Sequence, residues 1–180
     1  MKPDIEKLSS RLVYENRWMK LTEDTVRRSD GSQGIYSVVD KKDYVVIAPL
    51  EDGYLHLVEQ YRYPVGGRYW EFPQGSWESA ANASLVEVAR GELQEEIGFD
   101  ASKLIEVGHL FQAYGYSNQG FRVYLATGLS PRKRARDREE IDLVSARFEV
   151  GAVAQMINDG IIKDVTTVAA FGLLKSKGLL

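Results

Sequence analysis

The sequence predicts an α+β fold in which a mixed β-sheet lies between α-helices and is preceded by extra antiparallel strands. Three observations support this prediction. Runs rich in β-branched and aromatic residues fill the first part of the chain, a helical pattern occupies its middle, and two further helical segments close it. This order is typical of a sheet with helices packed on its faces. With 180 residues, the chain has the size of one domain.

The N-terminal strands are predicted from apolar runs that alternate with turn residues. The expected strands are 18–28, 34–39, 45–50 and 54–60. The Asp52-Gly53 pair separates the last two runs, and Asp-Gly between two β-rich segments is a strong hairpin signal. We therefore divide the chain into N-terminal strands at 1–40 and a larger domain at 41–180.

The rest of the chain begins with a predicted helix over Ala80–Ile97. Gly98 is well placed to end that helix in the left-handed conformation. The remaining elements follow in order: strands at 104–114 and 120–126, a charged stretch at 131–140, a strand at 143–148, and helices at 150–158 and 165–175. No repeat or low-complexity tract interrupts this order.

Composition excludes several kinds of chemistry. The 23 basic and 26 acidic residues give a net charge of −3, which offers no general attraction to nucleic acid or to a membrane surface. The apolar runs are too short for a bilayer, and the N-terminus lacks the apolar centre of a signal peptide, so we expect a cytoplasmic protein. The absence of cysteine excludes thiolate nucleophiles and cysteine-bound metals. With His56 and His109 as the only histidines, any metal site must use carboxylates.

Three glutamates on the predicted helix, Glu92, Glu95 and Glu96, are unusual in the direction in which their side chains project from the helix. A Glu-rich helix is ordinarily a solvated surface. At roughly 100° per residue, however, Glu92 and Glu96 project into the apolar arc and Glu95 falls at its rim. The arc consists of Leu85, Val88, Ala89, Leu93 and Ile97. Because an unpaired carboxylate facing a core costs several kcal/mol, two of them require a cation or a cleft. Oxygen ligands of this kind suit magnesium or manganese.

This segment resembles the signature of the Nudix hydrolases, a box of the form G-x5-E-x7-R-E-U-x-E-E-x-G-U in which U is aliphatic. Residues 92–99, Glu-Leu-Gln-Glu-Glu-Ile-Gly-Phe, match its second half. Gly75 precedes Glu92 by 17 positions, two more than in the box, which indicates a two-residue insertion. Arg90 stands one position before the place of the box arginine, and Glu78 is the nearest candidate for the earlier glutamate.

Two segments outside the box resemble ADP-ribose and nucleotide-sugar pyrophosphatases. Residues 59–75 look like the strand-loop-strand that leads into the box, and residues 159–167 look like the ending of these enzymes. The resemblance implies the Nudix fold. It also implies magnesium-dependent hydrolysis of the pyrophosphate bond in ADP-ribose or another nucleotide sugar, which releases a nucleoside monophosphate and a sugar phosphate.

The resemblance further implies a metal-ligand set. Glu92 and Glu96 would ligate Mg²⁺, with Mn²⁺ as an alternative. Glu95 would ligate a second ion or hold its water, which makes it a catalytic candidate. The main-chain carbonyl of Gly75 or of Gln74 would complete the shell. Such ions neutralise charge on a pyrophosphate, so the protein mainly positions the reacting groups.

Residues for substrate and proton transfer are implied in the same way. Arg62 would contact a phosphate, and Glu71 would lie at the metal cleft; without the family, we would interpret them as a surface cation and a rim residue. A general base would come from the acidic stretch before the last strand, where Glu139 and Glu140 are equal candidates. The basic run at 132–134 either attracts the anionic substrate or is a solvated loop.

Two tyrosines leave the substrate open. ADP-ribose enzymes of the family carry a Pro-Gly pair about 16 residues beyond the box, where this chain has Ala-Tyr-Gly-Tyr at 113–116. Tyr114 or Tyr116 resembles instead the stacking aromatic of members that cleave dinucleoside polyphosphates, although both could simply pack at a strand end. A non-catalytic nucleotide-binding Nudix module is the alternative of another class.

The partners follow from the same resemblance. We expect a small nucleotide as substrate and a homodimer, since ADP-ribose-type members often exchange N-terminal strands and residues 11–39 supply such strands. Trp18 would then line the partner's nucleotide pocket or fill the dimer core. Nucleic acid is not expected, because no basic stripe with interleaved aromatic residues is present to follow a backbone.

Overall fold

The computed structural model describes residues 4–76, 83–134 and 142–180. The chain forms two compact units. One contains Met1–Asp43 and Phe111–Gly120, and the other contains Tyr44–Leu110 and Phe121–Leu180.

The first unit is a three-stranded antiparallel sheet in the order β1-β2-β3, with β1 at Ile5–Glu15, β2 at Lys20–Arg28 and β3 at Gln33–Asp40. The predicted strands at 18–28 and 34–39 are confirmed. β1 was not predicted, because its apolar residues are interrupted by charged and polar ones and all of its side chains are exposed. Residues 111–120 join this unit through Val39, whose N–H donates to the Tyr116 carbonyl at 2.8 Å.

The second unit is built on a seven-stranded sheet. The strands are β4 Tyr44–Glu51, β5 Tyr54–Arg62, β6 Gly67–Glu71, β7 Gln74–Gly75, β8 Phe99–Phe111, β9 Gly120–Pro131 and β10 Val144–Glu149. Their main order is β10-β5-β4-β9-β8, with β6 beside β5 and β7 beside β4. β4 runs parallel to β9 and antiparallel to β5, so the sheet is mixed, as predicted. The strand predicted to reach Tyr114 ends at Phe111, where the chain passes into the other unit.

The predicted Asp-Gly hairpin is confirmed between β4 and β5. Asp52 and Gly53 both have positive φ values, 50° and 80°, and Glu51 pairs with Tyr54 across the turn. Two consecutive residues in this region form the turn whose twist matches that of antiparallel strands.

Helices cover both faces of this sheet. They are α1 Leu85–Glu92, α2 Val150–Asn158 and α3 Val165–Ser176. Along β4, Val46 and Ala48 pack in the cluster that includes α2 and α3, whereas Val45 and Ile47 pack in the cluster that includes α1. Alternating side chains of one strand are therefore buried on both faces, which explains its unbroken apolar run and confirms the helix–sheet–helix arrangement. No helix in the described part of the chain is long and apolar enough to span a membrane.

The helix predicted from Ala80 begins later, at Leu85. Ser84 has extended backbone angles and caps the helix: its hydroxyl accepts from the Glu87 N–H, and the Glu87 carboxylate accepts from the Ser84 N–H. This reciprocal capping box fixes the first turn, so the apolar periodicity alone placed the boundary too early. The helix continues into one π-helical turn, Leu93–Ile97, and ends at Gly98 with φ 75°, as predicted.

The capping box gives a first test of this boundary. We expect Ser84→Ala to lower the free energy of unfolding by about 1 kcal/mol, because the Glu87 N–H loses its acceptor. Urea denaturation measures the loss. Ser84→Asn keeps a capping oxygen and should retain nearly wild-type stability; equal losses in the two variants would contradict the cap.

Candidate functional site

The two glutamates that the sequence turned toward the core are buried in the structure. Glu92 is the last residue of α1 and is 4% exposed, and Glu96 lies in the π-helical turn and is 1% exposed. Glu95 is partly exposed, which confirms its predicted place at the rim. A π-helical turn inside an α-helix is rare and often occurs at functional sites. Both carboxylates therefore remain on the sheet side of the helix.

The segment that follows β6, which includes the short strand β7, faces these carboxylates. The Gln74 N–H donates to Oε2 of Glu96 at 3.2 Å. Gly75 lies against Glu92 so closely that a Cβ added to it would be 2.5 Å from the carboxylate carbon. Only glycine allows this approach of main chain and carboxylate. The structure thus brings together Gly75, Glu92 and Glu96, and their role as metal ligands stays a prediction.

The donor chemistry of this cluster fits a hard divalent cation. Two buried carboxylates and the adjacent main chain of residues 74–75 offer oxygen ligands and no nitrogen or sulfur side chain. Within residues 4–76, 83–134 and 142–180, no three acidic or histidine side chains form a ready-made metal cluster. Mg²⁺ is usually bound by only one or two carboxylates, and it keeps waters and substrate phosphates as its other ligands. The residues present fit that pattern.

Beside the cluster, Glu71 at the end of β6 forms a buried ion pair with Arg62 at the end of β5. Glu71 is 2% exposed, and Arg62 donates to both of its carboxylate oxygens. The Gln60 side-chain amide donates to the same carboxylate at 2.9 Å. Arg62 also interacts electrostatically with Glu96 and Asp164. The guanidinium therefore binds Glu71 and also lies in the electrostatic field of two further carboxylates, and Glu71 is not the rim residue that the sequence alone suggested.

Burial raises the pKa of the Glu71 carboxyl above its usual value, and the charge of Arg62 and its hydrogen bonds oppose that shift. Desolvation disfavours the ionised form of a carboxyl, whereas a neighbouring cation favours it. The protonation state of Glu71 therefore depends on Arg62.

A cavity of about 390 Å³ opens next to this ion pair. Its lining combines charged and apolar side chains: Arg62, Pro64, Val65, Tyr69, Glu71, Lys163, Asp164 and Val165. The Lys163 ammonium lies over the Tyr69 ring at 5.6 Å from its centre. The cavity thus has cations for an anionic ligand and apolar surface for an uncharged part of it.

Arg90, the displaced arginine of the signature, has a different contact. Its Nη1 donates to Oδ1 of Asp100 at 2.6 Å and to the Ala101 carbonyl at 2.7 Å. Arg132 donates to the other oxygen of Asp100 at 3.3 Å. Arg90 therefore ties α1 to the start of β8, and Asp100 in turn binds Arg132 in the segment that follows β9.

Other predicted residues lie elsewhere. Tyr114 and Tyr116 belong to the first unit and are 84% and 60% exposed. Glu78, Glu139 and Glu140 lie outside the described residues.

The sequence analysis did not single out four polar residues at the site: Gln60, Lys163, Asp164 and Thr167. An Asp two and three residues before threonines is a helix N-cap signal, and it could have pointed to Asp164. No local signal marks Gln60, because its partner Glu71 is on another strand.

The ion pair gives a pH-dependent test. In Arg62→Met the pKa of Glu71 should rise further, because the opposing cation is lost. A carboxyl with a raised folded-state pKa stabilises the fold when protonated, and this contribution is lost as pH rises from 4.5 through the folded-state pKa. We therefore expect Arg62→Met to be more destabilising at pH 7.5 than at pH 4.5, as measured by urea denaturation.

The matched control is the same substitution in a Glu71→Gln background. There the loss of stability caused by Arg62→Met should no longer depend on pH. A pH dependence that persists in this background would contradict the assignment of the effect to Glu71.

Models of known protein families match both the N-terminal strands and the larger domain of the chain. The family model described as "Nucleoside diphosphate sugar hydrolase N-terminal domain" matches residues 5–39, and the one described as "NUDIX domain" matches residues 41–164. An ADP-ribose pyrophosphatase from Mycobacterium tuberculosis (strain ATCC 25618 / H37Rv) is 34% identical over 95% of this chain and 82% of its own length. A methanol dehydrogenase activator from Bacillus methanolicus is 27% identical over 91% of this chain and 88% of its own length.

The fold has a close counterpart among solved structures. The crystal structure of an ADP compounds hydrolase superposes with a TM-score of 0.86 and covers 99% of this chain and 98% of its own, at 23% sequence identity. This likeness confirms the predicted fold, including the strands that precede the catalytic domain.

Proposed function

Because the chain belongs to the Nudix family, we propose that it hydrolyses the pyrophosphate bond of a nucleoside diphosphate linked to another group. ADP-ribose or a related nucleotide sugar is the leading substrate, and the products are a nucleoside monophosphate and a sugar phosphate. The observation that carries the proposal is the burial of Glu92 and Glu96 against the main chain of residues 74–75. The 34% identical ADP-ribose pyrophosphatase supports the choice of substrate.

The chain is a Nudix pyrophosphohydrolase, and Nudix hydrolases generally use divalent metal ions. We propose Mg²⁺ as the ion, with Mn²⁺ as an alternative. Glu92, Glu96 and the Gly75 carbonyl would hold it, and Glu95 at the rim would serve a second ion or a water. When bound, the ion neutralises the negative charge of the pyrophosphate and polarises its phosphoryl oxygens.

Arg62 is the proposed phosphate-binding residue. Its side chain is 40% exposed, so the guanidinium can contact a ligand while it holds Glu71. Glu71 fixes the direction of the guanidinium through two hydrogen bonds, which is how a bidentate partner orients arginine. The apolar wall of the adjacent cavity suits the uncharged part of a nucleotide sugar. The assignment of the general base to Glu139 or Glu140 stays a prediction.

A dinucleoside polyphosphate is the second candidate substrate. Tyr114 and Tyr116 are both largely exposed, so their rings are available for stacking on a base. If the enzyme prefers dinucleoside polyphosphates, Tyr114 and Tyr116 are the residues expected to stack on the base. A non-catalytic nucleotide-binding module remains the alternative if turnover is absent.

The N-terminal sheet supports the proposal of a homodimer. β1 exposes five large apolar side chains: Ile5, Leu8, Leu12, Val13 and Tyr14. Such a surface on one strand is characteristic of a face that another chain covers. The cytoplasmic location stays a prediction.

The proposal is tested by turnover on a panel of ADP-ribose, nucleotide sugars, dinucleoside polyphosphates and nucleoside triphosphates, with Mg²⁺ and with EDTA. We expect Mg²⁺-dependent release of AMP from ADP-ribose. Glu96→Gln should lower kcat at least about 100-fold. Loss of a residue that only supports a metal ligand typically costs about 10- to 100-fold, and loss of the ligand itself should cost more. Circular dichroism and melting should show an intact fold.

Glu87→Gln is the matched control, because Glu87 lies on the same helix, is exposed, and can keep the capping box as glutamine. It should retain wild-type kcat. Full activity in Glu96→Gln, or activity that survives EDTA, would contradict the metal assignment. Nucleotide binding without turnover of any compound would favour the non-catalytic module.

A further inference from the structure

The loop that faces Glu92 and Glu96 is held from its other side by Thr167 near the N-terminus of α3. Thr167 is fully buried, and its hydroxyl accepts from the Phe72 N–H at 2.8 Å. The same hydroxyl donates to Oδ2 of Asp164 at 2.7 Å. Because a carboxylate oxygen can only accept, Asp164 fixes the direction of the Thr167 proton and turns a lone pair toward Phe72.

Asp164 makes a second contact with the loop. Its Oδ2 accepts from the Gln74 side-chain amide at 3.2 Å and from the Thr167 N–H at 2.8 Å. Asp164 thereby caps α3 and also binds the residue whose main-chain N–H donates to Glu96. One carboxylate connects the start of α3 to both ends of the Phe72–Gln74 segment.

Within the described residues, β4 supplies the other main-chain hydrogen bonds of this segment, and the Phe72 side chain is buried in the core. β7 has only two residues and pairs with β4 at Val45 and Val46, and the Ile47 N–H donates to the Pro73 carbonyl at 2.9 Å. Pro73 itself has no N–H to donate. The side-chain contacts from α3 therefore supply a large share of the hydrogen bonds that hold residues 72–74.

We propose that Thr167 and Asp164 are positioning residues, which hold the Phe72–Gly75 segment so that its main chain lies against Glu92 and Glu96, the residues that would bind the ion. The inference rests on the proposed function. Residues behind a metal site orient the groups that bind the ion, and their loss typically lowers metal affinity or activity about 10- to 100-fold.

The neighbouring Thr166 provides a matched control. It is 1% exposed and lies on the same turn of α3, but its hydroxyl bonds with the Tyr44 hydroxyl at 2.9 Å and not with the loop. Thr166→Val and Thr167→Val each replace one hydroxyl with a methyl group, and both side chains are buried in the same helix. A merely structural role for Thr167 would make the two variants alike.

The experiment measures Mn²⁺ binding to the substrate-free protein by electron paramagnetic resonance, together with melting temperature and with kcat and KM for ADP-ribose. We expect Thr167→Val to raise the Kd for Mn²⁺ about 10-fold or more and to lower kcat at limiting Mg²⁺. Thr166→Val should keep the wild-type Kd even if it melts earlier. Thr167→Ser restores the hydroxyl and should restore the Kd.

Asp164→Ser tests the same contact if Thr167→Val does not fold. Serine caps helices about as well as aspartate does, but its single short hydroxyl cannot also accept from the Gln74 amide and the Thr167 hydroxyl, as Oδ2 of Asp164 does. Asp164→Ser should therefore also raise the Kd for Mn²⁺. Equal Kd values in Thr166→Val and Thr167→Val, or a wild-type Kd in Asp164→Ser, would overturn the inference. If the wild-type protein hydrolyses the substrate and binds Mn²⁺, that failure leaves the proposed function intact; a wild type that does neither refutes both.

Discussion

The arrangement of the site depends on the burial of two carboxylates, Glu92 and Glu96, between a helix and the sheet. Ionised groups in such a position are unfavourable unless charges or hydrogen bonds compensate for the lost water. The neighbouring main chain is arranged to provide this compensation. Gly75 has no side chain where Glu92 needs space, and the Gln74 N–H points at Glu96. A divalent cation bound there would add to that compensation, which connects the stability of the site with its chemistry.

The loop at residues 72–75 couples the two faces of the sheet. Phe72 packs in the cluster that contains α3, whereas Gly75 meets α1, whose side chains belong to the opposite cluster. Asp164 and Thr167 then bind the loop from α3. A short irregular segment between two packed helices is held more rigidly than a free loop, and rigid support is what a metal or phosphate site requires.

This chain departs from the family signature in the place of one arginine and in the length of the first half. Neither difference changes the burial of Glu92 and Glu96. Arg90 bonds with Asp100, so the helix end is fixed to β8 by an ion pair. The π-helical turn at Leu93–Ile97 still leaves Glu92 and Glu96 buried and Glu95 at the rim. The second half of the signature therefore places its glutamates where the helical periodicity predicts, although the first half differs in length and in the place of its arginine.

The sequence by itself predicted a mixed sheet between helices from the order of its elements. It also determined the Asp52-Gly53 hairpin and the direction of Glu92 and Glu96, because these follow from turn chemistry and local periodicity. Only the tertiary structure decided that Glu71 is buried with Arg62 and Gln60, and that Asp164 and Thr167 bind the loop before α1. Those contacts join residues that are distant in the chain or lie on different strands. No local pattern encodes such a pairing, because it depends on how the strands and helices pack.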